Sequence, residues 1–275
     1  MNSIPKESSR HVEAVVKALQ ILNCFQNQTG LSLKQIVEMT GLNRSRVLRL
    51  AGTLQSQGFL YRDPDNGVYS LGSQVFALGK AFERQHDLIS LARPFLRKSS
   101  QETGESVSLW MLDGLQRVSL AREEGTHQIR FSVDEGQRVE LYAGASGKVL
   151  LAFGPPNVLE EILTKQKLTQ VTRQTIVDPE DLRQELQKIR EQGYAISYGE
   201  RVDDSGSIAA PIFGVGNRMV CSLSVSGPSS RFQGDDFKVR LNVALKTART
   251  LSARLGASIY QDGLQVIKRQ SKSVF

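Results

Sequence analysis

Cysteine, histidine and tryptophan are scarce in this chain: its 275 residues include two, three and one of them. Cys24 and Cys221 lie far apart within apolar stretches, whereas a disulfide framework or a zinc site needs several thiols or histidines at ligand spacing. Two reduced, packed thiols are expected. His11, His86 and His127 have no Cys, Asp or Glu partner at motif spacing, so neither a metal site nor histidine-based catalysis has support. No apolar run approaches the roughly 20 residues of a membrane-spanning helix. The polar start Met1-Asn2-Ser3-Ile4-Pro5-Lys6-Glu7 also lacks the basic-then-apolar build of a secretory signal. A cytoplasmic protein without metal or other cofactor is expected.

The length is enough for about two domains at roughly 150 residues each. A net charge of +7 spread over such a surface says little about partners, but its distribution says more. Between Lys34 and Arg62 the basic residues are Lys34, Arg44, Arg46, Arg49 and Arg62, opposed by the single acid Glu38.

That basic stretch sits in a readable context. Val12, Val15, Val16, Leu19, Leu22 and Phe25 recur at three and four residues, predicting a first helix with this stripe buried. Ser32-Leu33-Lys34-Gln35 fits a capping box, and Thr40-Gly41-Leu42-Asn43 reads as a helix stop followed by a new cap. In the helix that follows, Val47, Leu50, Ala51 and Leu54 share one face, while Ser45, Arg46, Arg49 and Thr53 gather on the other. Gly58 to Arg62, the turn Asp63-Pro64-Asp65-Asn66-Gly67 and Val68 to Leu71 form a hairpin. Helix, tight turn, helix and hairpin make a winged helix-turn-helix, whose second helix enters the DNA major groove. A solvated basic face on a small helical subdomain is the plainer reading of such a charge run. DNA binding is preferred because the patch lies on the one helix that this topology presents. The expected contacts are Lys34, Arg44, Ser45, Arg46, Arg49, Thr53 and Arg62.

Val75, Phe76, Leu78 and Phe82 continue at helical spacing, predicting a linker helix of about 20 residues that Pro94 limits. Its stripe would pair with a second copy or pack on its own chain. Beyond it, strands are expected at Ser106–Leu112, Arg117–Ala121, Tyr194–Tyr198, Ser207–Phe213 and Met219–Ser226, with helices opening at Asp178 and about Asp235. Strands with segregated helices make the fold class α+β. The expected division is a DNA-binding domain over 11–72, a linker helix over 73–92, a larger domain over 93–260 and a basic tail over 261–275.

The run Tyr142-Ala143-Gly144-Ala145-Ser146-Gly147-Lys148-Val149 fails as a phosphate loop, with Tyr142 where a glycine is needed and Val149 where Ser or Thr is needed. What remains is a string of small residues leading into a helix N-terminus, which suits either an anion or close packing against a sheet. Ser146 and Ser207 as nucleophiles would need a His or Lys at motif spacing, and none stands there. Trp110 reads equally as an aromatic wall of a pocket or as core.

Taken together, these segments resemble the IclR (isocitrate lyase regulator) type of transcription factor from about His11 to Tyr260. The resemblance rests on Gly41-Leu42-Asn43-Arg44-Ser45, Tyr69-Ser70-Leu71-Gly72, Ala145-Ser146-Gly147-Lys148-Val149-Leu150-Leu151-Ala152, Ile208-Ala209-Ala210-Pro211 and Ser224-Val225-Ser226-Gly227-Pro228. It implies a GAF-like antiparallel sheet with flanking helices, dimers or tetramers, a near-palindromic duplex operator and a small-molecule effector, a carboxylate. Its implied effector contacts are Ala145, Ser146, Ser197, Ser207, Ser224 and Ser226. A regulator of catabolic or metabolic genes that senses a small organic or aromatic acid, through a pocket of hydroxyls and helix N–H groups with no obvious arginine, is the expectation. A DNA-binding protein whose larger domain only oligomerises is the alternative.

Overall fold

The computed structural model describes residues 11–26, 28–85, 87–128, 133–165 and 168–259; His86 and the basic tail assigned to 261–275 lie outside the described residues. The chain divides into two compact units, Met1–Asp87 and Leu88–Phe275.

The smaller unit opens with α1 (Glu13–Asn23), α2 (Leu33–Thr40) and α3 (Arg44–Ser56). Local side chains set these ends. Ser32 accepts from the Gln35 N–H while Gln35 accepts from the Ser32 N–H, the full capping box at the start of α2. Gly41 ends that helix in the left-handed region, φ 66°, where a side chain would clash with its own backbone, and the Asn43 side chain then accepts from Arg46 N–H at 2.9 Å to start α3. Asn43→Ala is therefore expected to cost about 1 kcal/mol in thermal unfolding followed by circular dichroism, and Asn43→Asp much less. Ile21, Phe25, Leu31, Ile36, Val47, Ala51, Leu54, Leu60 and Tyr69 form the core. The hairpin β1 (Leu60–Arg62) and β2 (Tyr69–Leu71) pairs Leu60 with Leu71 and Arg62 with Tyr69. The stripe expected to be buried on α1 is buried only at its end: Leu22 and Phe25 face the core with Ile21, while Val12, Val15, Val16 and Leu19 are exposed. Two apolar faces share this helix, and the spacing runs across both.

Spacing predicts a helix over 73–92; the described helical residues are α4 (Ser73–Gln85) and α5 (Asp87–Thr103), which run past the expected end. Pro94 lies inside α5 instead of ending it, at the cost of the hydrogen bond its missing N–H would have given.

The larger unit is built on a six-stranded antiparallel sheet in the order β5-β4-β3-β8-β7-β6. Its strands are β3 (Ser106–Asp113), β4 (Gln116–Glu123), β5 (Arg138–Glu140), β6 (Ala195–Tyr198), β7 (Ser205–Phe213) and β8 (Met219–Pro228). Alternation sorts the side chains. Ile208, Ala210, Leu223 and Val225 face one layer with α5 and with α9 (Gly234–Arg254). Trp110, Ala195 and Ala209 face the other, with α6 (Ala145–Phe153), α7 (Pro156–Lys165) and α8 (Pro179–Gln192). The α+β class is as expected, with β5 and α7 added. Cys24 and Cys221 are both free thiols, and burial raises the pKa of each, so neither is poised to react.

Candidate functional site

On α3 the exposed residues are Arg44, Ser45, Leu48, Arg49, Gly52, Thr53, Gln55 and Ser56, an outward face opposite Val47, Ala51 and Leu54. Arg44 and Arg49 stand on it, their guanidinium groups with no hydrogen bond or ion pair among the described residues. The hydroxyl of Thr53 is occupied, donating to the Arg49 carbonyl at 3.0 Å. Arg46, placed outward by periodicity, sits at the edge of this face and reaches Glu13 of α1 at 3.1 Å; the hydrogen bond from Lys17, and next the charge of Arg46, hold the Glu13 carboxyl below its ordinary pKa. Lys34 on α2 is exposed, 3.8 Å from Glu38. In the wing, Arg62 lies over the Tyr69 ring at 5.5 Å, which stiffens it at the hairpin.

Leu48 is a member of this face that charge patterning does not pick out. The residue is 40% exposed, an apolar group standing among the outward arginines and hydroxyls of α3.

In the larger unit, register brings the serines together. Ser197 on β6 lies opposite Ser207 on β7, which lies opposite Ser226 on β8, so the three form a row across the sheet. Ser224, two residues along β8, faces the same way and accepts from the Trp110 indole N–H at 3.1 Å. Trp110 is buried with its polar edge satisfied. Ser222 on the same face donates to the Ser146 carbonyl at 3.1 Å, which fixes the first turn of α6 over β8. There the N–H groups of Ala145 and Ser146 have no intrahelical acceptor.

Charged groups that no sequence motif announces surround this turn. Lys148 is fully buried and donates to Glu200 at 2.6 Å, Glu185 at 2.9 Å and the Ile196 carbonyl at 3.3 Å. Glu200 in turn accepts from Gly144 N–H at 3.2 Å, setting one internal carboxylate at the positive end of α6. The sequence shows no obvious arginine for this neighbourhood, yet Arg117 of β4, only 3% exposed, lies with its guanidinium 5.0 Å from the centre of the Trp110 ring, and a Cβ added at Gly147 would overlap its Nη1. Burial, together with nearby Arg201, pushes its pKa down to about 9. Gln116-Arg117 beside a hairpin turn has the pattern of surface; the α6 loop, far along the chain, buries it.

A winged helix-turn-helix presenting two unpaired arginines, joined to a separate sheet domain, defines a DNA-binding transcriptional regulator. Known proteins agree: residues 14–64 match the model of the IclR helix-turn-helix domain, and residues 81–253 match that of the bacterial transcriptional regulator IclR C-terminal domain. The chain belongs to the IclR family of transcriptional regulators. It is 32% identical over 244 residues to the regulator KipR of Bacillus subtilis, covering 89% of this chain and 97% of that one. With BhcR of Paracoccus denitrificans it shares 33% over 246 residues, covering 90% and 88%. Among solved structures, the Thermotoga maritima IclR matches with a TM-score of 0.72 at 30% identity, over 90% of this chain and 100% of that one. An IclR homologue from Microbacterium hydrocarbonoxydans, solved with 4-hydroxybenzoate, shares the fold at a TM-score of 0.79 and 24% identity, over 89% and 100%.

Proposed function

We propose that this regulator binds a near-palindromic duplex operator as a homodimer or tetramer and releases or grips it in response to a small organic or aromatic acid held in the larger unit. The row of Ser197, Ser207 and Ser226, with Ser224 beside it and the first turn of α6 above β8, carries the effector reading. Hydroxyls on one sheet face and free N–H groups at a helix start are the complement of a carboxylate with a polar body. The 4-hydroxybenzoate bound by the Microbacterium homologue is a molecule of that kind. Arg44, Ser45, Leu48 and Arg49 would meet base edges and phosphates, with Lys34, Thr53 and Arg62 flanking them and Arg46 bracing α3 against α1. The exposed apolar face of α1 (Val12, Val15, Val16, Leu19) and the exposed Phe76 and Leu78 of α4 support pairing of two copies, which would set half-sites about one turn, roughly 10 bp, or a multiple apart.

A ligand that favours one conformation must bind the two unequally, so the effector should shift operator affinity, and the shift should vanish without its contacts. The test is operator binding with and without added acids, paired with thermal unfolding. An acid at 100 times its Kd is expected to stabilise the full chain by about 2.7 kcal/mol. Ser224→Ala with Ser226→Ala is expected to remove both responses and leave operator affinity in the absence of acid unchanged. An acid response that survives the double substitution would take these serines out of the site.

A further inference from the structure

Five buried side-chain atoms among the described residues lack a hydrogen-bond partner, and they belong to four residues of one neighbourhood: Arg117 (Nε and Nη1), Ser119 (Oγ), Glu140 (Oε2) and Arg201 (Nε). Arg117 and Ser119 point the same way from β4, and Glu140 sits on the adjoining β5. Glu140 Oε2 and Arg201 Nε are near each other, so the groups left without a counterpart are those of Arg117 and Ser119; unsatisfied groups of this sort are costly in a native interior and call for a partner.

Charge accounting shows which partner is missing. Glu140 and Arg201 face each other at 3.5 Å, a long pair that a small approach would complete. Glu200 is engaged by Lys148 and by Gly144 N–H. Both acids that act electrostatically on Arg117 are thus already paired, and no carboxylate lies within ion-pair distance of its guanidinium among the described residues. Its position adds to the imbalance. The guanidinium lies against the first turn of α6, where the helix dipole already favours an anion. Glu200 already offsets part of that positive end through the Gly144 N–H, and one incoming anion would meet what is left: Nε and Nη1 of Arg117 and the N–H groups of Ala145 and Ser146.

Resting on the effector reading above, we propose that Arg117 anchors the effector, its free donors and the first turn of α6 holding one carboxylate between them. The ligand class is then an acid that is ionised when bound, not a neutral amide, alcohol or sugar. The Trp110 ring, covered on one side by Arg117 and tied by its N–H to Ser224, joins this anchor to the serine row, so the acid group and the polar body of one small molecule would sit on neighbouring parts of one site. Burial supplies the selectivity: a charge-assisted contact in a dry setting is strong, while a neutral isostere leaves the guanidinium unpaired.

The test uses the full chain, with Arg117→Met and Arg117→Lys beside it, and millimolar acetate, lactate, benzoate and 4-hydroxybenzoate as probes, each against its amide. At least one acid, and not its amide, is expected to raise the unfolding temperature of the unaltered protein. Arg117→Met should weaken that acid by about 10- to 100-fold, and Arg117→Lys should recover part of the loss. Without ligand, Arg117→Met should unfold at the same or a higher temperature, because an unpaired buried charge gives way to an apolar chain of similar length. An arginine with a merely structural role would give a lower one. The assignment is overturned by a lower unfolding temperature of unliganded Arg117→Met, by equal shifts from acid and amide, by no shift from any of the four acids, or by an acid shift that Arg117→Met retains. If a shift persists in Arg117→Met but is lost with Ser224→Ala and Ser226→Ala, the effector reading stands and the Arg117 anchor falls; if it persists in both, neither stands.

Discussion

Glu105→Ala is expected to lower the stability of the larger unit by about 3–5 kcal/mol, the range for removing one partner of a buried ion pair. Glu105 is fully buried just ahead of β3, and two arginines converge on it: Arg231 donates through Nε at 2.6 Å and Nη2 at 2.8 Å, and Arg240 through Nη2 at 2.9 Å and Nε at 3.3 Å. The carboxylate thereby ties the turn after β8 and the first half of α9 to the start of β3, and it raises the pKa of Arg231 by hydrogen bonding. Alanine removes the carboxylate that both guanidinium groups share, and Arg240, only 5% exposed, keeps among the described residues only its polar contacts to Asp236, the carbonyl at 3.0 Å and the carboxylate at 3.7 Å. The single tryptophan, Trp110, lies in this unit, so its fluorescence reports on the sheet domain alone. With a urea dependence of about 2 kcal/mol/M, the midpoint should fall by about 1.5–2.5 M at unchanged slope. A midpoint that does not move would mean that both arginines find other partners once the acid is gone.

Such pairs mark the limit of what the sequence discloses. Ends of helices are legible because capping is a matter of three or four neighbouring residues: Ser32 with Gln35, Gly41, Asn43, and Asp178 ahead of Pro179 all act as their local chemistry predicts. The main strands are legible because Asp-Gly, Gly-Val-Gly and Gly-Pro punctuate them. The three-residue β5 carries too little pattern to be seen, and the two apolar faces of α1 cannot be ranked without knowing what packs on each.

The sites divide along the same line. Parity along a strand puts Ser224 and Ser226 on one face, and register then adds Ser207 and Ser197, all within what the sequence can address. Lys148 with Glu200, and Glu105 with Arg231 and Arg240, are separated by 52, 126 and 135 positions, and nothing local announces them. Arg117 is harder still, since its identity looks like surface chemistry and only the closing of the α6 turn over β4 makes it interior. Arg46 errs in the opposite direction: it has the right residue type on the right helix, yet Glu13 draws it from the presented face.

That difference between Arg46 and its neighbours yields the other large expected effect. Arg49→Ala should weaken binding to an operator selected from a randomised duplex pool by about 1–3 kcal/mol if the guanidinium reads a base edge, and Arg44→Ala with Arg49→Ala by about twice that, since the two residues share no partner. A salt titration separates the modes. Removing one phosphate partner should lower the slope of log K against log salt by about 0.9, whereas removing a base partner leaves the slope and relaxes preference at one position of the half-site. Arg46→Ala is the internal comparison, being of equal charge on the same helix but held by Glu13 at 3.1 Å. It should change affinity far less and sequence preference not at all. Because α3 keeps its Asn43 cap and its buried Val47, Ala51 and Leu54 in every one of these variants, thermal unfolding should stay within about 0.5 kcal/mol of the unaltered protein, so a weaker complex would report on the interface and not on the fold. If Arg46→Ala instead matches Arg49→Ala in both affinity and preference, the presented face of α3 is rotated from the one described, and the reading of Leu48 as a base contact goes with it.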